Sequence, residues 1–237
     1  MVIQGLLTAA LVMSGAPAAG TGTSTGTGTR TGTEARVDCA KVRCLALTFD
    51  DGPGKYTGTL LDVLRREHVK ATFFLMGKHV EQIPSVVRRT VAEGHAIGNH
   101  TYSHPSLPTL LDQEIIDEIR LTQDVVQNVT GRRLRMFRPP YGHTDARVLG
   151  LAGSQDLSQV LWTGTTLDWK LRDPAKIKAA VLRLAKRDGV ILMHDTVPQT
   201  VRAMPAILKE LKKQGYHLVT VPTLLGGRTP DAGVSFP

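Results

Sequence analysis

The stretch Cys44-Leu45-Ala46-Leu47-Thr48-Phe49-Asp50-Asp51-Gly52-Pro53 joins an apolar run to two adjacent carboxylates and a Gly-Pro break. An apolar run of this length, rich in strand formers and ended by Gly-Pro, predicts a buried strand. Working outward, further short apolar runs occur at 71–76, 95–98, 135–137, 159–163, 190–193 and 216–219. Amphipathic stretches lie between them, at 57–67, 84–93, 112–129, 144–153, 174–187 and 202–214. In the third of these, Asp112 reads as an N-cap, Ile115, Ile116, Ile119 and Val126 form an apolar side, and Gly131 stands just past the end. Strand and helix alternating about seven times predicts an α/β fold with a parallel sheet, open or closed into a barrel.

In both architectures ligands bind at the C-terminal ends of the strands. Asp50-Asp51 follow the first run, His100 the third and Arg138 the fourth, while Asp168 and Trp169 follow the fifth and His194 the sixth. The chemically capable residues therefore share one side. Adjacent carboxylates repel, and they persist best where a cation or an arginine absorbs their charge. His100 and His104, spaced i, i+4 in a loop marked by Asn99, Ser103 and Pro105, can grip one cation together. Asp51 as a third ligand completes a set that leaves positions open, as a catalytic metal requires. Asp50 is then the candidate base, with Arg138 as the partner that orients it. His194 is placed as a general acid and Asp168 to hold its other ring nitrogen. The plainer readings are loop histidines satisfied by polar neighbours, a surface salt bridge for Arg138 and a structural histidine at 194.

The remaining composition bounds the setting. A chain of 237 residues supports one sizeable core with a remainder at its N-terminus. Before Glu34 the only charged side chain is Arg30, and residues 20–33 are almost wholly Gly, Thr and Ser. That composition reads as a flexible linker, taken here as 20–38. Upstream, an apolar run at 5–13 leads to Ala16-Pro17-Ala18-Ala19, which predicts a secretory leader over 1–19, although it lacks the basic n-region. The run falls well short of the ~20 residues of a membrane span. A catalytic domain is expected over 39–228, followed by a tail over 229–237.

Two cysteines, Cys39 and Cys44, stand at the threshold of the domain. In an exported protein so close a pair reads as a disulfide before it reads as a metal site, and two independent buried thiols are the alternative. A bridge would need a turn between them and would stabilise by about 2 kcal/mol. The formal net charge of +8 is spread over helical segments, as at Arg65-Arg66, Arg88-Arg89 and Lys212-Lys213, and aromatics are only 5%. No run interleaves aromatic and basic residues, which argues against nucleic acid and reads as a solvated basic surface or as weak attraction to an anionic cell wall. A monomer is expected.

Taken in order, five stretches resemble the motifs of one family, the polysaccharide deacetylases of the NodB-homology group (carbohydrate esterase family 4). Thr48–Pro53 matches TFDDGP, His100–His104 matches H-[ST]-x-x-H, and Arg138–Gly142 matches R-x-P-Y-G. Leu167-Asp168-Trp169 matches the end of D-x-x-D-W, and Leu192-Met193-His194 matches L-x-H. The resemblance implies a distorted (β/α) barrel and a hydrolase acting on non-peptide C–N bonds. It implies one divalent cation, zinc expected with Co2+ or Ni2+ as alternatives, held by Asp51, His100 and His104. Asp50 would deprotonate the attacking water, supported by Arg138. The oxyanion would be met by the metal and the backbone N–H of Tyr141, and His194, backed by Asp168, would protonate the leaving amine. Trp169 and Leu192 would wall the acetyl pocket, with Pro140 and Tyr141 also against the substrate; a packed core Trp is the alternative for Trp169. Thr165 stands where the motif has its first Asp, which removes a charge-assisted contact. His143 has no assigned role, and the histidines at 68, 79, 95 and 217 read as surface or structural. Export and this motif set point to acetate release from N-acetylglucosamine-type units of peptidoglycan or chitooligosaccharide. An acetylxylan O-esterase is the alternative. A non-catalytic glycan-binding module is a further one, although such a module should have lost Asp50, a metal ligand or His194.

Overall fold

The computed structural model describes residues 37–227 and 231–237. The expected leader, and the linker up to residue 36, lie outside them. Nine parallel strands among the described residues form one sheet: β1 (Arg43–Gly52), β2 (Thr72–Leu75), β3 (Ala96–Asn99), β4 (Met136–Phe137), β5 (Ser158–Val160), β6 (Gly164–Thr165), β7 (Gly189–His194), β8 (Tyr216–Val219) and β9 (Ser235–Phe236). Their order is β6-β7-β1-β2-β3-β4-β5-β9, with β8 beside β1. β1 is the axis of the sheet. It pairs with β7 from Leu45↔Gly189 to Asp50↔His194, with β2 from Thr48↔Thr72, and with β8 from Arg43↔Tyr216. Neighbours on both edges and helices outside explain why Cys44–Asp50 is buried without interruption rather than in alternation.

The apolar run at 159–163, expected as one strand, divides. Its first part belongs to β5, which pairs with β4 and β9, and the chain then crosses to β6, which pairs with β7. No ladder joins β5 to β6 among the described residues, so the curved sheet keeps a seam there. Arg138 lies in that seam, fully buried. It donates from Nε to the Val160 carbonyl (2.9 Å) and from Nη2 to the Leu161 carbonyl (2.7 Å). A guanidinium with five donors in a rigid plane can satisfy several oxygens there at once. The segment expected as a tail supplies β9, which extends the sheet beyond β5.

Helices cover the outside: α1 (Thr57–Arg66), α2 (Gly77–Gln82), α3 (Pro84–Ala92), α4 (Asp112–Thr130), α5 (Ala146–Ser154), α6 (Asp168–Leu171), α7 (Pro174–Leu184), α8 (Pro198–Lys213) and α9 (Val221–Leu224). α4 ends at Gly131 in the left-handed conformation, as its sequence predicts. Asp112 is its first helical residue rather than its cap, and Glu114 turns back to accept from the Leu111 N–H. α8 starts four residues before the expected 202 and carries Pro205 inside it. Tertiary contacts override that breaker, since Val201, Met204, Ile207, Leu208 and Leu211 are buried at helical spacing. Phe49 and Phe73 stack between β1 and β2, with ring centroids 5.3 Å apart. Cys39 and Cys44 form a disulfide, Cα to Cα 5.4 Å, across a turn in which the Asp38 carbonyl accepts from the N–H groups of Lys41 and Val42.

Candidate active site

Residues adjacent on a strand point to opposite faces. Asp50 and Asp51 escape that rule because the β1–β2 register slips between Asp50 and Gly52, leaving Asp51 as a bulge. With φ at 70°, Asp51 turns its carboxylate to the same cavity as Asp50. Asp50 is 2% exposed and accepts from Arg138 Nη1 at 2.8 Å; the same nitrogen also reaches Thr48 Oγ1. The surface salt bridge considered for Arg138 is therefore a buried one. His194 is the register partner of Asp50 on β7.

His100 follows β3 and extends its ladder, its N–H bonding to the Leu75 carbonyl. Its Nδ1 lies 2.7 Å from the Arg138 carbonyl, which can only accept, so Nδ1 carries the proton and Nε2 turns a lone pair inward. The loop to His104 is pinned by Glu118 of α4, which accepts from the N–H groups of Tyr102 and Ser103, both at 2.8 Å. Both His100 Nε2 and His104 Nε2 stand 3.3 Å from Asp51 Oδ1. That oxygen is buried without a hydrogen-bond partner. A tetrahedral zinc ion with bonds of about 2.0 Å keeps its donor atoms about 3.3 Å apart, which both distances to Asp51 match, and the three donor atoms all lie within 4.8 Å of one another.

His194 ends β7 with Nδ1 2.8 Å from Asp168 Oδ1, and its backbone N–H donates to Asp168 Oδ2 at 2.8 Å. Asp168 is fully buried and also accepts from Thr200 Oγ1 at 2.6 Å. Burial works against the charged imidazole, but the hydrogen bond and charge of Asp168, then the charges of Asp50 and Asp51, push His194 up to about 9. The next residue, Asp195, is buried with a single side-chain partner, Thr57, and burial pushes its carboxyl up to about 7.

These groups open into a cavity of about 550 Å³ at the C-terminal ends of the strands. Trp169, 52% exposed, and Leu192 line it together with Tyr141. The exposure of Trp169 removes the packed-core alternative. Tyr141 adopts φ 61°, which throws its ring outward against His104 (centroids 4.6 Å), whereas Pro140 before it is buried and does not reach the cavity wall. Leu167, the first residue of the Leu167-Asp168-Trp169 stretch, also lines the cavity, as do Trp162, Thr196 and Val197, which no sequence motif marks. Trp162 sits at the seam crossing, hidden in what reads as strand.

Residues 38–160 match the family described as polysaccharide deacetylase. The chain is 39% identical to a peptidoglycan N-acetylglucosamine deacetylase of Bacillus cereus over 76% of its own length and 67% of that protein's. It belongs to the polysaccharide deacetylase family. A chitooligosaccharide deacetylase of a Bradyrhizobium strain is 33% identical, over 79% of this chain and 93% of that one. Some curated relatives are much longer, so that the chain spans only 39% of their length. Among solved structures, "T48 deacetylase with substrate" superposes with a TM-score of 0.81 at 41% identity, covering 85% of this chain and all of that one.

Within the family's motif pattern, Thr165 is this chain's departure, and its hydroxyl accepts from the Leu167 N–H at 3.3 Å while facing the cavity. His143, left without a role above, has Nδ1 3.0 Å from Ser106 Oγ and so links the Tyr141 loop to the His104 loop. His95 is structural, accepting from the Ala71 N–H.

Proposed function

We propose that the chain is an exported, metal-dependent polysaccharide deacetylase that removes N-acetyl groups from N-acetylglucosamine-type units of peptidoglycan or chitooligosaccharide. One observation carries the reading: an arginine-paired carboxylate and an aspartate-paired imidazole flank the Asp51, His100 and His104 donors in one cavity. A divalent cation there supplies Lewis-acid polarisation of the acetamide carbonyl and a more acidic water. Asp50 accepts the proton of the attacking water, its Oδ1 fixed by Arg138 and its other oxygen 3.8 Å from His100 Nε2. The backbone N–H of Tyr141 is the donor toward the developing oxyanion. His194 then delivers its proton to the departing amine nitrogen, so acetate and the free amino sugar leave. Asp168 holds His194 by the opposite ring nitrogen, leaving Nε2 for the substrate. Trp169 and Leu192 close around the acetyl methyl group. Extracellular action is in keeping with the Cys39–Cys44 disulfide, and no described helix is long and apolar enough to cross a membrane.

The test is acetate release from N-acetylglucosamine oligomers, peptidoglycan and acetylxylan, by metal-free and zinc-loaded protein side by side. Release from N-acetyl glycans that is lost on chelation and restored by zinc is the expected result. Activity confined to acetylxylan would make the enzyme an O-acetyl esterase. Inactivity on all three substrates with zinc bound would favour a glycan-binding module.

The acid has its own signature. A His194 value raised above the ordinary ~6.5 means that the stability it contributes is full below about pH 6.5 and is lost as pH rises through about 9. The protonated form is the donor, so kcat falls as pH rises through the titration of His194. In Asp168→Asn the alkaline limb should move to lower pH, because the hydrogen bond and charge that raise His194 are lost. A limb that stays in place in that variant would remove His194 as the titrating acid.

A further inference from the structure

Asp51 is lifted out of the β1–β2 ladder, which leaves its carbonyl in need of a new donor. His79, on α2, provides one: its Nδ1 lies 2.7 Å from the Asp51 oxygen. A carbonyl only accepts, so Nδ1 carries the proton. The next carbonyl along, that of Gly52, accepts from the Met76 N–H at 2.9 Å. Two successive peptide groups of the bulge are thus gripped from the start of α2.

The grip matters because Asp51 sits at φ 70°, a conformation that costs a non-glycine residue about 1–3 kcal/mol and persists only where the surroundings over-determine it. Fixing the 51–52 peptide while β1 fixes the peptide before it leaves Asp51 one backbone conformation, and with it one direction for its Cα–Cβ bond. Freed of that anchor, the residue can leave the left-handed region and swing its side chain away. Its Oδ1 would then lose the 3.3 Å approach to both imidazoles.

We propose that His79 is a positioning residue: by donating Nδ1–H to the bulge carbonyl, it holds Asp51 in the left-handed conformation that presents its carboxylate to His100 and His104. This rests on reading those three as the metal ligands.

Full-length chain carrying His79→Ala, His79→Asn or Asp51→Ala, each stripped of metal, would be titrated with zinc against a chromophoric chelator. The kcat and KM for a chitooligosaccharide would be measured alongside. Asn places an N–H at the Nδ1 position, so it can restore the bond without the ring. Expected for His79→Ala is zinc affinity weakened by about tenfold or more, the usual effect of removing a group that orients a ligand. Its kcat should fall with KM nearly unchanged, and His79→Asn should recover most of both. The inference is overturned if His79→Ala matches the parent in zinc affinity and kcat. It is also overturned if Ala and Asn are equally impaired, because packing and not the donated bond would then be at work. If the parent and Asp51→Ala bind zinc alike, the ligand reading fails first and takes the inference with it.

Discussion

Asp50→Asn is expected to lower kcat for deacetylation by about 10²–10⁴-fold, the usual contribution of a positioned general base. The replacement is nearly isosteric, and its amide oxygen can still accept from Arg138 Nη1, now 2.8 Å from the carboxylate. What it loses is proton affinity. The Asp51, His100 and His104 donors are untouched, so zinc uptake should stay near that of the parent. Some stability is lost as well, about 1–3 kcal/mol, because buried Arg138 no longer faces a full negative charge. Kinetics would therefore be measured below the variant's melting transition, with zinc content determined on the same sample. A variant that is folded, zinc-loaded and still near parental kcat would strip Asp50 of the role of base.

Arg138→Ala should produce the largest loss of stability, about 3–5 kcal/mol in chemical denaturation, as for other buried pairs broken from one side. Several groups are left behind together. Asp50 keeps a buried charge, Thr48 Oγ1 loses a donor, and the carbonyls of Val160 and Leu161 lose theirs at the seam between β5 and β6. Phe74, whose ring lies 4.0 Å under the guanidinium, loses its packing partner. Lysine at this position restores charge but not the planar fork, so it should recover only a minor part of the loss. A cost under about 1 kcal/mol for Arg138→Ala would mean that Arg138 does not hold the seam.

The central strands were legible because burial on both faces writes them as unbroken apolar runs, as in β1 and β7. The two-residue strands β6 and β9 carry no period and are set by what they dock against. The seam was invisible for a related reason, since Leu161, Trp162 and Thr163 continue a strand-like run while crossing between strands. At the site, side chains were readable from type and spacing: Asp50, Asp51, His100, His104, Arg138, Asp168 and His194 lie together around one cavity. Contacts made through backbone were not. His79 bonds to a peptide carbonyl, which no residue letter records, and a bulge is a count of residues against a partner strand that the chain alone does not display.

Five residues bordering the cavity or its loops, Asp51, Thr101, His104, Tyr141 and Leu167, hold positive φ without being glycine. At about 1–3 kcal/mol each, their combined cost is comparable to the whole net stability of an ordinary domain. The continuous core around β1 offsets that cost. Glycine at any of the five would relax the backbone and discard the side chain or the angle that points it. Selection for heat resistance should therefore find its gains in the helices and the rim of the sheet, while these positions stand as the place where robustness and turnover pull in opposite directions.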